Sequence, residues 1–169
     1  MYLVIIPTYN EAENVELMLN RFNNLNEKFN LLFIDDNSPD GTGKILEKKS
    51  KENNNIHIIH RKRKYGIGSA HIEGLMWAYK NNYKFVITMD CDFTHSPEQI
   101  KFFFNEKNKA DLIVGSRFID KGGLKNWSIQ RKFITYLGHF LTSILLNISY
   151  DATGAFRLYN ISKIPKEVF

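Results

Sequence analysis

A chain of 169 residues has the length of one domain, and a composition 43% hydrophobic and 14% aromatic supplies a real core. The net charge of +5 and a pI near 9.2 favour anionic partners: phosphates, nucleic acid or an anionic membrane face. The lone Cys91 excludes an internal disulfide, no Cys/His cluster has zinc spacing, and no run nears the ~18 apolar residues of a spanning helix. The apolar start is too short, and lacks the basic flank, for a secretory leader. The expectation is a soluble or peripheral protein of a reducing compartment.

Residues 2–6 form a short β-branched run, the first strand, and Pro7 is expected to end it because proline removes a ladder donor. Pro7-Thr8-Tyr9-Asn10-Glu11 then reads as a strand-to-helix loop. From 12 to 25, Val15, Met18, Leu19, Phe22 and Leu25 fall at helical spacing. Residues 31–34 are a second strand ending in Asp35 and Asp36. Ser38-Pro39-Asp40-Gly41 is a turn, and a helix with Ile45 and Leu46 inward runs on to about 52. Residues 56–59 are a third strand.

The run Arg61-Lys62-Arg63-Lys64 leads into Gly66-Ile67-Gly68 and a helix over 69–81, with Ala70, Leu75, Met76 and Tyr79 expected to face the core. Residues 85–89 are a fourth strand carrying Asp90-Cys91-Asp92. Ser96-Pro97-Glu98-Gln99 is a helix start with a capping box. Residues 111–115 are a fifth strand ending at Ser116-Arg117. Strand and helix alternate four times before it, which predicts a single α/β domain with a mostly parallel sheet and helices on both faces.

Residues 122–127 read as a loop. Over 131–148 the apolar residues exceed one core-facing stripe, so this helix is either deeply buried, the expected outcome, or lies in a membrane interface. Asp151-Ala152-Thr153-Gly154-Ala155-Phe156 is a turn entering a final strand or extended segment.

Asp90 and Asp92 are the focus of the functional reading. Side chains two apart on extended backbone share a side, and acids at the carboxyl end of a parallel strand sit where open α/β sheets bind ligands. Two carboxylates there suit Mg²⁺, which such sites hold together with substrate phosphates. Asp35 and Asp36 would lie along the same edge. The Gly66-x-Gly68 loop is no dinucleotide fingerprint: it does not follow the first strand, and His71 stands at the third glycine position. A P-loop is absent. His57, His60, His71, His95 and His139 make no metal spacing, and His95 reads as part of a helix lead-in. The basic run reads as a solvated face, with a phosphate or membrane-surface role as the alternative.

Six segments stand in a telling order: Pro7-Thr8-Tyr9-Asn10-Glu11; Ile34-Asp35-Asp36-Asn37-Ser38-Pro39-Asp40-Gly41-Thr42; Gly66-Ile67-Gly68-Ser69-Ala70; Met89-Asp90-Cys91-Asp92; Gly115-Ser116-Arg117; and Thr153-Gly154-Ala155-Phe156-Arg157-Leu158-Tyr159. Together they resemble the family 2 glycosyltransferases with the GT-A fold, and most closely the dolichol-phosphate (polyprenol-phosphate) mannosyltransferase group. The resemblance covers about residues 3–160.

It implies one GT-A catalytic domain over 1–169, with 131–148 as a candidate membrane-interface helix and a C-terminus shorter than that of relatives. It implies a nucleotide-sugar site of Pro7, Tyr9, Glu11, Ile34, Asp36, Asp90, Cys91, Asp92 and Arg117. Asp90 and Asp92 would hold Mg²⁺ or Mn²⁺, with Asp92, Arg117 and Arg131 as the catalytic residues, the two arginines on the lipid phosphate. Thr94 stands where relatives can carry Gln or Ser, a departure that removes a side-chain metal ligand.

The implied reaction is inverting, metal-dependent transfer of a hexose, mannose, from GDP-mannose to a polyprenyl or dolichyl monophosphate. It would take place at the cytoplasmic side of a membrane, endoplasmic reticulum or plasma membrane, with no nucleic acid and with room for a membrane-anchoring partner subunit. A phosphate monoester, with its second pKa near ~6, needs no general base. The alternatives are another donor such as UDP-glucose; a sugar-hydroxyl acceptor, which needs a carboxylate base such as Asp120 or Asp151; and a non-catalytic nucleotide- or partner-binding module.

Overall fold

The computed structural model describes residues 2–117, 128–148 and 150–169. Asp120 and the loop expected over 122–127 lie outside them. Among the described residues the strands are β1 (Tyr2–Thr8), β2 (Asn30–Asp35), β3 (Ile56–His60), β4 (Phe85–Thr88), β5 (Leu112–Val114) and β6 (Arg157–Asn160). The helices are α1 (Ala12–Asn23), α2 (Thr42–Glu52), α3 (Ile67–Lys80), α4 (Ile100–Glu106) and α5 (Ile129–Leu146), with a 3-10 turn, Pro97–Gln99, leading into α4.

The strands form one sheet in the order β3-β2-β1-β4-β6-β5. The four strands β1 to β4 run parallel. β6 is antiparallel to both neighbours and separates β5 from β4. The chain-order reading anticipates the parallel part but not this insertion, since β6 arrives more than 40 residues after β5 and periodicity carries no information on pairing. β1 also runs one residue beyond Pro7, which pairs in register with Ile34.

The two-residue period of the strands sorts the core into two layers. Val4, Ile6, Leu31, Phe33 and Ile87 point to one face and pack under Val15, Met18, Leu19 and Phe22 of α1, Leu46 of α2, and Ile100 and Phe103 of α4. Leu3, Ile5, Leu32, Ile34 and Val86 point to the other and pack under Ala70, Leu75 and Ala78 of α3. Helices therefore cover both faces, as the alternation predicts.

Two core assignments are corrected. Met76 does not face the core: it is 43% exposed. α3 instead presents Ala70, Gly74 and Ala78, small residues four apart that let the helix lie close on β1. A Cβ at Gly74 would sit 2.6 Å from Cγ2 of the fully buried Ile5. Gly74→Ala is therefore expected to destabilise the protein by about 1–3 kcal/mol, because overpacking outweighs the ~1 kcal/mol of helix propensity that alanine returns. Urea denaturation checks this as a lower midpoint at unchanged slope.

The second correction concerns α5. Deep burial is overturned: Phe133, Ile134, Phe140, Ile144 and Leu145 are each more than half exposed. No described helix is long and apolar enough to cross a membrane.

Candidate active site

Strand direction decides what meets at the site. β1, β2 and β4 all end on the same edge of the sheet. β5, antiparallel to β6, ends there too, while β6 begins there. The segments 9–11, 35–36, 90–92, 115–117 and 151–157 are thus delivered to one edge from five strands.

The first loop is held from outside. Glu11 stands at the N-cap of α1 without a side-chain bond to the helix N–H groups. The β2–α2 loop supplies the caps instead. The Asn10 N–H donates to Ser38 Oγ (3.0 Å), the Glu11 N–H to Thr42 Oγ1 (2.9 Å) and the Ala12 N–H to Asp40 Oδ2 (3.0 Å). Two of the N–H groups that a helix start leaves unpaired, those of Glu11 and Ala12, are satisfied this way. Gly41, at φ +96°, provides the left-handed turn that this loop needs. The turn legible in the sequence is thus also a clamp on Tyr9–Glu11. Tyr9 is partly exposed, with Lys64 Nζ 3.9 Å from its ring centre.

Asp35 and Asp36 have separate tasks. Asp35 accepts from Thr8 Oγ1 (3.1 Å), Ser38 Oγ (2.6 Å) and the Ser38 N–H (3.1 Å), tying β1 to the capping loop. Asp36 Oδ1 accepts from Arg61 Nε, and Oδ2 from the N–H groups of Tyr65 (3.1 Å) and Gly66 (3.2 Å). Arg61 continues to Ser69 Oγ (2.8 Å) and the Gly66 carbonyl (3.2 Å). Arg61 is 8% exposed and is no part of a solvated basic face; only Lys62, Arg63 and Lys64 are. Asp36 fixes the Gly66 turn at the site's edge from beneath. Ile34, expected in the nucleotide pocket, has a fully buried side chain in the α3-side core, so it supports the strand and does not line the pocket.

β4 stops at Thr88, but the strand's alternation persists. Met89 and Cys91 are buried in the α1-side core while Asp90 and Asp92 turn away from it. Phe93, at φ 58°, then reverses the chain, and Asp92 Oδ1 accepts from the Thr94 N–H (2.9 Å). Cys91 is 2% exposed, and burial, with Glu11, Asp92 and Asp90 adding, pushes its thiol well above the ordinary range. It is a packing residue rather than a ligand. Burial likewise raises Glu11; Asn14 opposes this with a 2.6 Å hydrogen bond, and the charges of Asp92 and Asp40 add to it. Negative charge is crowded on this edge, a donor set suited to a hard cation. Among the described residues no group of three His, Cys, Asp or Glu side chains forms a complete cage. The two carboxylates fit a metal that takes its remaining ligands from a diphosphate.

His95 packs the loop after the acids against the residue that leads into β6. Its ring stacks on Phe156 with centres 4.6 Å apart. Burial lowers its pKa, a Gln99 hydrogen bond raises it, Arg117 lowers it, and the charges of Asp151 and Asp92 raise it. The expected capping box is present, with the Ser96 N–H donating to Gln99 Oε1 at 2.9 Å.

Arg117 follows β5. Its Nε and Nη2 donate to the two oxygens of Asp151, both at 2.7 Å, and Nη2 also donates to Thr153 Oγ1 at 2.5 Å. Asp151 is 1% exposed, and although burial alone would raise its pKa, the Arg117 contacts hold it below the usual carboxylate range. Gly115 is required here, since a Cβ would meet the Phe156 ring at 2.3 Å. Arg131 falls in the first turns of α5; its side chain lies outside the described residues.

A family model, glycosyl transferase family 2, matches residues 3–166. The chain belongs to glycosyl transferase family 2. Among curated proteins, it is 37% identical over 158 residues to an undecaprenyl-phosphate mannosyltransferase of Micrococcus luteus, covering 93% of this chain and 65% of that protein. It is 33% identical over 167 residues to a polyprenol monophosphomannose synthase of Mycolicibacterium smegmatis, covering 97% and 63%. The chain thus spans a little under two thirds of the length of these relatives. Its family 2 fold is that of the GT-A enzymes. Glucosyl-3-phosphoglycerate synthase of Mycobacterium tuberculosis, solved with Mn²⁺, UDP and its product, superposes with a TM-score of 0.67 at 16% identity, covering 96% of this chain and 57% of that one.

Arg61, His95 and Thr153 have no place in the site as read from the sequence, and Asp151 enters it there only as a base for a sugar-hydroxyl acceptor, not as the partner of Arg117. Arg61 is hidden in a basic run, and His95 in a helix lead-in. Asp151 and Thr153 reach the edge only because β6 runs antiparallel.

Proposed function

We propose that the chain transfers mannose, with inversion, from GDP-mannose to a polyprenyl monophosphate. The observation that carries this reading is the placement of the Asp90/Asp92 carboxylates and the Arg117 guanidinium on one sheet edge. The two named relatives support mannose and the polyprenyl phosphate.

Asp90 and Asp92 would hold Mg²⁺ or Mn²⁺. Bound there, a divalent ion supplies Lewis-acid stabilisation of the diphosphate leaving group, worth several kcal/mol. Tyr9 and Glu11, held by the capping loop, flank the nucleotide, with Asp36 beneath the adjoining Gly66 turn. Arg117 and Arg131 hold the acceptor phosphate, Arg117 as a fixed positive charge whose Nε and Nη2 are already held by Asp151 and Thr153. That phosphate is anionic at neutral pH and needs no base.

Asp151 favours this acceptor over a sugar hydroxyl. Arg117 occupies both of its oxygens and lowers its basicity, which makes it a poor general base. The exposed apolar length of α5 supports a place along the cytoplasmic surface of the membrane that carries the lipid.

The test supplies the full chain with labelled GDP-mannose or labelled UDP-glucose, each with farnesyl phosphate and Mn²⁺. The expected product is mannosyl phosphoryl farnesol from GDP-mannose. Transfer from UDP-glucose alone would replace the donor, and binding without transfer would favour a non-catalytic module.

A further inference from the structure

We infer that Asp151 is a positioning residue for the acceptor phosphate, acting through Arg117. This rests on the proposed role of Arg117 at that phosphate. One buried carboxylate fixes this arginine at three points: Oδ2 accepts from the Arg117 backbone N–H (3.2 Å) and from Nε (2.7 Å), and Oδ1 accepts from Nη2 (2.7 Å). Thr153 closes the arrangement, accepting from Nη2 (2.5 Å) while its hydroxyl donates to Asp151 Oδ1 (3.3 Å).

The carboxylate is itself held in a tight turn. The Gly154 N–H returns to the Asp151 carbonyl at 3.4 Å, and a Cβ at Gly154 would come within 3.3 Å of Asp151 Oδ2. The turn is anchored to β5 where the Gly115 N–H meets the Phe156 carbonyl at 2.8 Å. A long, rotamer-rich arginine is thereby set in one orientation before any phosphate arrives, and a preorganised group binds more tightly than one that must be ordered on binding.

Charge and orientation predict opposite signs, which makes the idea testable. If Asp151 acted on the phosphate only as a nearby negative charge, removing that charge would tighten phosphate binding. If it acts by holding Arg117, removing it loosens binding although the site becomes more positive. A purely structural tie between β5 and β6 would instead weaken donor and acceptor binding alike.

The experiment measures farnesyl phosphate and GDP-mannose affinities by calorimetry, with Mn²⁺, on the full chain and on Asp151→Asn, Arg117→Ala, the double variant and Thr153→Val. Asp151→Asn is expected to weaken farnesyl phosphate about ten-fold and to leave GDP-mannose within two-fold. The double variant is expected to bind no worse than Arg117→Ala alone, since Asp151 has nothing left to position. Thr153→Val is expected to cost about three-fold, and it carries the test if Asp151→Asn does not fold.

Unchanged or tighter farnesyl phosphate binding by Asp151→Asn overturns the inference. So do an equal loss of GDP-mannose affinity and a double variant in which the two losses multiply. If Arg117→Ala binds farnesyl phosphate normally, or the unsubstituted chain does not bind it, the reading of Arg117 itself fails and the inference goes with it.

Discussion

Asp92→Ala is expected to lower mannosyl transfer at least ~100-fold, the scale on which enzymes lose a preorganised electrostatic group. The fold should survive. Asp92 is exposed, and its hydrogen bond from the Thr94 N–H stabilises a local turn. A 100-fold loss is about 2.7 kcal/mol of barrier, whereas an exposed turn contact contributes at most ~1 kcal/mol to stability. Turnover with GDP-mannose and farnesyl phosphate therefore separates from thermal stability in this variant. Near-normal turnover would refute the metal role of the acid pair. Cys91→Ser tests the intervening residue differently: its side chain is in the core, so any loss should appear first as stability.

The largest effect on stability is expected at Arg61. Arg61→Met keeps most of the side chain's volume but leaves Asp36 as a buried charge with only two backbone N–H partners, those of Tyr65 and Gly66. Breaking a buried pair on one side typically costs about 3–5 kcal/mol, much of the 5–15 kcal/mol that holds an average domain together. Urea denaturation should show the loss directly. Adding Asp36→Asn should recover part of it, because the amide oxygen still accepts from a backbone N–H while the buried charge is gone. A loss under ~1 kcal/mol would mean that the pair is solvated and that the Gly66 turn does not depend on it.

Much of this molecule is legible along its chain. Val15, Met18, Leu19 and Phe22 announce α1 by their spacing and are the residues it buries. The alternation of strand and helix announces four parallel strands with helices on both faces. The acids after β2 and β4 announce the edge that carries the candidate site, because polar residues directly after buried strands must lie at the strand ends. Such features rest on periods of 2 and 3.6 residues, which local sequence encodes directly.

What stayed hidden depends on contacts far apart in the chain. Met76 has the apolarity of a core residue, but only the close approach of Gly74 to Ile5 decides which face of α3 is inward. Arg61 looks like its three cationic neighbours, and only the buried Asp36, 25 positions earlier, sets it apart. α5 has the composition of a core helix, yet the tertiary structure leaves many of its apolar side chains exposed.

By itself, then, the sequence determined the fold class, the family and the Asp90/Asp92 edge, each through a local pattern or an ordered set of motifs. The tertiary structure alone decided that β6 inserts antiparallel between β4 and β5, and so that Asp151 and Thr153 meet Arg117. The reason is physical: β6 pairs with strands far from it in the chain, and no local period records such a pairing.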